Sequence, residues 1–180
     1  RLLTRSNDKE TDMDFTMERI SQMLILLKKH LYYECQPLIG WRFSECGYKT
    51  DNQIPDSSSD AFRDFGADDR WGNIPDAHAW FCRHVVIPES WRGKEVRFAL
   101  TTDSRAVDPR ADIDLPQTIA YINGTLTQGM DINHTEIILP DLPEMDMALY
   151  LYSAKVRWYK EFHAELRLVN EDCIGLYYDL

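Results

Sequence analysis

The sequence predicts a mainly β chain, an antiparallel β-sandwich preceded by one amphipathic helix. Three observations carry this. Beyond residue 79, at least six runs rich in aromatic and β-branched residues follow one another without an intervening helical pattern. One of those runs ends in an Asn-Gly pair at 123–124, a strong hairpin signal because a type I′ turn needs positive φ at both central residues. Ahead of the β region lies a single stretch of helical periodicity, residues 12–34.

In that stretch Met13, Met17, Ile20, Leu24, Leu27 and Leu31 recur at alternating intervals of four and three, which places them on one stripe of a helix. Asp12 and Asp14 suit the positive end of the helix dipole, Lys28, Lys29 and His30 suit the negative end, and Pro37 stops the run. The stripe is too short for a sustained coiled coil and is expected to pack on a domain. Residues 40–76 follow, rich in Pro, Gly, Ser and Asp, and read as a wrapped loop pinned by Trp41, Phe43, Phe62, Phe65 and Trp71. The strand runs are 79–87, 95–102, 117–122, 135–140, 147–154 and 162–170. Val96, Phe98 and Leu100 alternate onto one face of the second, and Ile122 and Leu126 are expected on the apolar face of the Asn-Gly hairpin. The expected organisation is a helical segment over 1–36, a sandwich over 37–172 and a lead into a further domain over 173–180. The start at Arg1 and the ending "IGLYYDL" suggest a piece cut from a longer chain.

At 180 residues, with 44% hydrophobic residues including five Trp, nine Tyr and seven Phe, the chain has material for one packed domain. A formal net charge of −10 argues against a phosphate-tracking nucleic-acid binder and against anionic membranes. Cys35, Cys46, Cys82 and Cys173 lie far apart with no CxxC pair, which favours free thiols and a cytoplasmic setting. No run of transmembrane length or signal peptide is visible in the sequence.

Candidate chemistry is sparse. His78, His84, His134 and His163 are scattered: His78 and His84, six apart, would face one side of a strand, and nothing in the sequence brings His134 or His163 to them as zinc ligands. Asp131, Asn133 and Glu136 echo an oxygen-ligand calcium loop but lack its central Gly and further carboxylates. Asp68, Asp69, Asp112 and Asp114 sit in loops, where spacing cannot establish the fixed carboxyl separation that glycoside hydrolysis needs. No catalytic residue, metal ligand or cofactor is therefore assigned to the chain. The segment "YINGTLTQGMDINHTE" is the densest polar cluster. Gly129 is expected to permit a left-handed turn, and Asp131 and Asn133 to bond neighbouring amides. Two other readings stay open: Gln128, Asp131, Asn133 and His134 as an interface or the rim of a sugar site, and direct carbohydrate binding with Trp80, Trp91 or Trp158 as the platform.

Several segments occur in a recognisable order: Trp71-Gly72, His78-Ala79-Trp80-Phe81, Ile87-Pro88-Glu89-x-Trp91-x-Gly93-Lys94, Tyr121-Ile122-Asn123-Gly124 and Gln128-Gly129-x-Asp131-x-Asn133-His134. Together with the 12–34 helix, "GWR" at 40–42 and the closing "GLYYDL", they resemble the N-terminal accessory domain of glycoside hydrolase family 38 α-mannosidases of the cytosolic/vacuolar and bacterial type. The resemblance spans residues 12–180. It implies a galactose-binding-like jelly roll ahead of a (β/α) catalytic domain. That domain would carry Zn²⁺ on a His-x-His-x-Asp motif and a nucleophilic Asp, and this sequence holds no such motif. By that resemblance the parent would hydrolyse terminal α-mannosides of mannose-containing glycans. The present chain would be a noncatalytic module packed on the catalytic domain, supporting it and an oligomer; the alternative is an independent carbohydrate-binding module. "PEMDMALYLYSAKVRWYKEF" departs from the family's Gly-rich equivalent, and the loops at that end of the sandwich are where the resemblance is weakest.

Overall fold

The computed structural model describes residues 7–49, 53–102, 116–154 and 161–180, with side chains from residue 15 onward. The antiparallel β-sandwich expected from the alternating runs is present. In chain order the elements are α1 (Asn7–Leu27), β1 (Tyr32–Pro37), β2 (Trp41–Cys46), β3 (Arg63–Phe65), β4 (Ala77–Val86), a 3-10 turn at Glu89–Trp91, β5 (Val96–Thr101), β6 (Gln117–Ile122), β7 (Thr125–Met130), β8 (Glu136–Ile138), β9 (Glu144–Ser153), β10 (His163–Val169) and α2 (Glu171–Asp179). The strands form a six-stranded sheet, ordered β3-β2-β4-β9-β6-β7, and a four-stranded sheet, ordered β1-β10-β5-β8.

Alternation decides which side chains meet between the sheets. On the larger sheet Phe43 lies opposite Phe81, Phe81 opposite Leu149, and Leu149 opposite Ala120, so one face is apolar across four strands. On the smaller sheet Phe98 pairs with Ile137. Trp41 of β2 meets Phe98 of β5 edge to face at 6.1 Å, which joins the two layers.

The opposite face of the smaller sheet is ionic. Glu136 lies between Arg97, at 3.4 Å, and Arg167, while Arg97 also holds Glu95 at 2.7 Å. Arg167 bonds Glu165 through Nε at 2.6 Å. These carboxylates raise the Arg167 pKa although burial opposes them, so its guanidinium stays charged.

The Asn-Gly hairpin forms as its sequence requires. Asn123 and Gly124 both take positive φ, 49° and 78°, and Ile122 pairs with Thr125 across the two-residue loop. The two-residue loop sets Tyr121 opposite Leu126, and a register shift at Ala120/Tyr121 then sets Ala120 opposite Gln128. Leu126 therefore shares the face of Tyr121 and not that of Ile122, remains 54% exposed and does not join the apolar face expected for it.

The chain divides into two compact units, Arg1–Glu34 with Leu168–Leu180, and Cys35–Arg167. In the first, Leu31, Val169 and Ile174 are buried together, with Tyr32 and Tyr177 packed against them. The Asn170 side chain caps α2 by accepting from the Cys173 amide at 3.3 Å, and Glu171 and Asp172 complement the helix N-terminus.

α1 differs from its expectation in extent and in burial. It ends at Leu27 and not at residue 34, its last turn tightening through i to i−3 bonds from Lys29 and His30 to Leu26 and Leu27. The next residues, Tyr32 to Pro37, are a strand, because the aromatic and β-favouring "YYECQ" finds a ladder partner in β10. Of the expected stripe only Leu31, beyond the helix, is buried; Ile20, Leu24 and Leu27 are half-buried and Met17 is exposed. Met13 lies where no side chain is described. No described helix is long and apolar enough to cross a membrane.

Candidate functional site

The outward face of the six-stranded sheet carries a second apolar cluster and, beside it, a cleft. Across β4 and β9, His78 lies opposite Tyr152, Trp80 opposite Tyr150 and Cys82 opposite Ala148. β6 adds Gln117 opposite Tyr152 and Ile119 opposite Tyr150. The period of two sends all of these away from the inter-sheet core. Phe62 from the segment before β3 closes over Trp80, Cys82, Tyr121, Ala148 and Tyr150, with Ile54 and Cys46 packed against them. Lys49 reaches over the same aromatics, its Nζ 5.1 Å from the centre of the Trp80 ring and 5.4 Å from that of Tyr121. Burial in this layer pushes the Cys82 thiol up to about 12, so it is unreactive as a nucleophile at neutral pH.

The cleft has a volume of about 550 Å³ and is lined by Tyr48, Asp76, His78, Gln117, Ile119, Tyr150 and Tyr152. His78 stacks on Tyr152 with ring centres 4.7 Å apart, lies in a nearly parallel plane 5.7 Å from the centre of Tyr150, and is met edge-on by Tyr48 at 5.8 Å. The Tyr150 hydroxyl accepts from the Lys49 amide at 2.9 Å and lies 2.6 Å from His78 Nδ1. The two contacts tie the hydroxyl to both Lys49 and His78 and fix the imidazole through Nδ1. Burial raises the Tyr150 pKa, which keeps the phenol protonated for that bond. Tyr152 donates to Asp76 Oδ1 at 3.0 Å. Asp76 sits at φ 51°, a left-handed conformation that Asp tolerates better than most residues. The result is a fixed polar rim around aromatic walls. Such an arrangement can orient a ligand by hydrogen bonds and ring contacts.

The residues singled out from the sequence lie elsewhere or lie inside. Asp131 is committed to its own loop: Oδ1 accepts from the amides of Asn133 and His134, each at 2.8 Å, and His134 Nδ1 is 3.1 Å from the same oxygen. Those bonds, led by the His134 amide, hold the Asp131 carboxyl below its ordinary pKa. Gln128 donates to the Glu136 carbonyl at 3.3 Å and thereby ties β7 to β8. Gly129 is an ordinary strand residue opposite Ile119, with no left-handed turn. Trp80 and Trp91 are buried, at 5% and 3% exposure, as core residues. Trp158, Asp112 and Asp114 lie outside the described residues. Among the described residues no group of three or more His, Cys, Asp or Glu side chains is gathered as a metal site. The sequence reading missed Tyr48, Asp76, Tyr150 and Tyr152. One signal was available: in "MALYLYS" both tyrosines alternate with leucines, which assigns them to the face opposite Leu149 and Leu151.

A smaller charged group marks the other end of β4. His84 Nδ1 lies 2.7 Å from Asp146 Oδ1, and Nε2 lies 3.6 Å from Glu144 Oε2. The hydrogen bond to Asp146 raises the His84 pKa above 6.5. A raised folded-state value means that this contribution to stability is complete below the unfolded value and is lost as pH rises through the folded one. In a proton NMR titration the His84 midpoint is expected above that of an unfolded histidine and should fall in Asp146→Asn. An unchanged midpoint in that variant would exclude Asp146 as the cause.

No protein-family model matches the chain, and no curated protein matches it. Solved structures do match in fold. The crystal structure of Bacteroides uniformis β-glucuronidase aligns over 76% of this chain at 14% identity with a TM-score of 0.51. A calcium-binding mutant of Bacteroides uniformis β-glucuronidase 2 gives the same coverage, identity and score. The chain spans 18% of the length of each of these proteins. The neighbours overturn the expected α-mannosidase membership, since they are β-glucuronidases and nothing found points to family 38. The physical reason lies in what the quoted segments do. Asn123-Gly124 is the turn of a hairpin, and Pro88-Glu89-x-Trp91 is a 3-10 turn between strands. Both answer the geometry of the sandwich and carry no trace of a particular catalytic domain. The mannoside specificity rested on that resemblance and falls with it, and the expectation of zinc in a neighbouring domain loses its ground. What the comparison shows is a β-sandwich shared with a domain found in glycoside hydrolases.

Proposed function

We propose that the chain is a noncatalytic β-sandwich module of a glycoside hydrolase, packing on and supporting a catalytic domain of the same polypeptide. The observation that carries the proposal is the asymmetry of the fold match: 76% of this chain corresponds to only 18% of a β-glucuronidase. A module of this size beside a much larger remainder is what an accessory domain would present. The loop of Asp131, Asn133 and His134, rigid through its own hydrogen bonds, is the proposed contact with that neighbour. A preordered loop loses little conformational entropy on docking.

Two measurements test this. The coding sequence around residues 1–180 is expected to run uninterrupted into a glycosidase catalytic domain; a frame closed at both ends would overturn the proposal. The purified 180-residue chain is expected to release no nitrophenol from aryl β-glucuronide, β-galactoside or β-mannoside above the buffer rate. Turnover that persists through repurification would make the chain an enzyme in its own right.

A further inference from the structure

We propose that the aromatic cleft on the outward face of the larger sheet is a carbohydrate-binding site for a single pyranose unit at the end of a glycan. Among the described residues the lining all belongs to the Cys35–Arg167 unit.

Size comes first. A volume of about 550 Å³ falls within the roughly 300–1,000 Å³ range of small-molecule sites. Chemistry then narrows the ligand. A pyranose has apolar C–H faces and a rim of hydroxyl groups that each donate and accept. Its complement is an aromatic wall beside planar polar side chains with fixed orientations. The cleft supplies Tyr48 and Tyr152 as walls. Its planar polar groups are the Asp76 carboxylate, the Gln117 carboxamide and the His78 imidazole. Their orientation is set before any ligand arrives. Tyr152 fixes Asp76 through one oxygen and leaves the other available, and Tyr150 fixes His78 through Nδ1, leaving Nε2 for a ligand hydroxyl, which can both donate and accept. A carboxylate acceptor, an imidazole nitrogen and an amide that both donates and accepts therefore surround the space. The left-handed backbone at Asp76 is consistent with a side chain held where the cleft needs it.

A quaternary ammonium would use the same tyrosines differently. It needs ring faces turned inward around an empty centre. Here the imidazole lies on the Tyr152 ring at 4.7 Å and is hydrogen-bonded to the Tyr150 hydroxyl, so these tyrosines do not enclose an empty cage. That favours the sugar.

The test is two-dimensional amide NMR of the 180-residue protein, titrated to millimolar concentrations with methyl glycosides of glucose, galactose, mannose and glucuronic acid, and separately with tetramethylammonium. At least one glycoside is expected to shift the resonances of Tyr48, Gln117 and Tyr152 in a saturable manner. Tyr48→Ala should weaken that glycoside about tenfold, as expected for one lost ring contact. Tyr48 is 76% exposed, so its removal leaves the fold intact. Gln117→Ala, also at the surface, is the second variant and should weaken binding as well. No cleft shifts with any glycoside, saturable shifts elsewhere only, or unaltered binding in both variants would overturn the proposal. Shifts with tetramethylammonium alone would overturn it in favour of a cation cage. The outcome is separable from that of the module reading, which the coding frame and the turnover assay decide.

Discussion

Phe81→Ala is expected to lower the unfolding free energy by about 4 kcal/mol, within the ~3–5 kcal/mol typical of deleting a buried aromatic side chain. Phe81 is 0% exposed and sits at the middle of β4. Its ring stacks on Phe162 at 4.0 Å with an interplanar angle of 4°. Phe43, Phe65 and Trp71 close around it at 4.9, 5.0 and 5.9 Å. Alanine there would leave a cavity walled by four rings that cannot collapse together, because β2 and β9 hold the backbone on either side. At roughly 2–4 °C per kcal/mol for a domain of this length, the melting temperature should fall by about 8–16 °C. Denaturant unfolding followed by tryptophan fluorescence measures it. A loss under about 1 kcal/mol would mean that the two sheets are not packed as described. Phe81→Leu keeps most of the volume and should cost less than half as much.

Glu136→Ala is expected to cost about 2 kcal/mol, between the ~0–1 kcal/mol of an exposed ion pair and the ~3–5 kcal/mol of a broken buried one. The intermediate figure follows from the setting. The Arg97 and Glu136 side chains are 14% and 18% exposed, so water screens them only in part. Each arginine nevertheless keeps a second carboxylate, Glu95 for Arg97 and Glu165 for Arg167, and neither is left wholly uncompensated. Glu136→Gln, which retains the shape and one acceptor, should cost less than Glu136→Ala. Both losses should persist in roughly 1 M salt, where a purely surface pair would be screened away. If the Ala variant becomes equal to the parent in high salt, the network belongs to the surface and not to the sheet.

Much of the sandwich is legible in the sequence because alternation is local. "AWFCRHVV" places Phe81 and Val85 on one face and Trp80 and Cys82 on the other without reference to any other segment. The Asn123-Gly124 turn is equally local, since positive φ at both residues is a demand on those two alone. β2 and β3 were hidden for a different reason. Trp41, Arg42, Phe43 and Ser44 do alternate, but the Pro, Gly, Ser and Asp around them read as loop, and the three residues of β3 are too few to show a period. The helical periodicity carries on through Tyr32, Tyr33 and Glu34 toward the stop at Pro37, and only pairing with β10 makes Tyr32–Pro37 a strand. Leu126 faces away from Ile122 because a two-residue loop pairs Ile122 with Thr125 and Tyr121 with Leu126, and successive pairs alternate between the faces of the sheet.

The cleft shows where sequence reading gives way. Tyr150 and His78 are 72 positions apart, Tyr152 and Asp76 are 76 apart, and Lys49 and Tyr150 are 101 apart. No spacing rule links them. The sequence alone determined the β class, the hairpin turn, the inward and outward sides of the long strands, and a charge unsuited to nucleic acid, because each depends on neighbouring residues or on composition. Tertiary structure alone decided that Trp80 and Trp91 lie inside and that tyrosines from β9 frame a cleft with a histidine from β4. Those outcomes depend on which strands become neighbours and in what register, and register is set by the packing of the whole sheet.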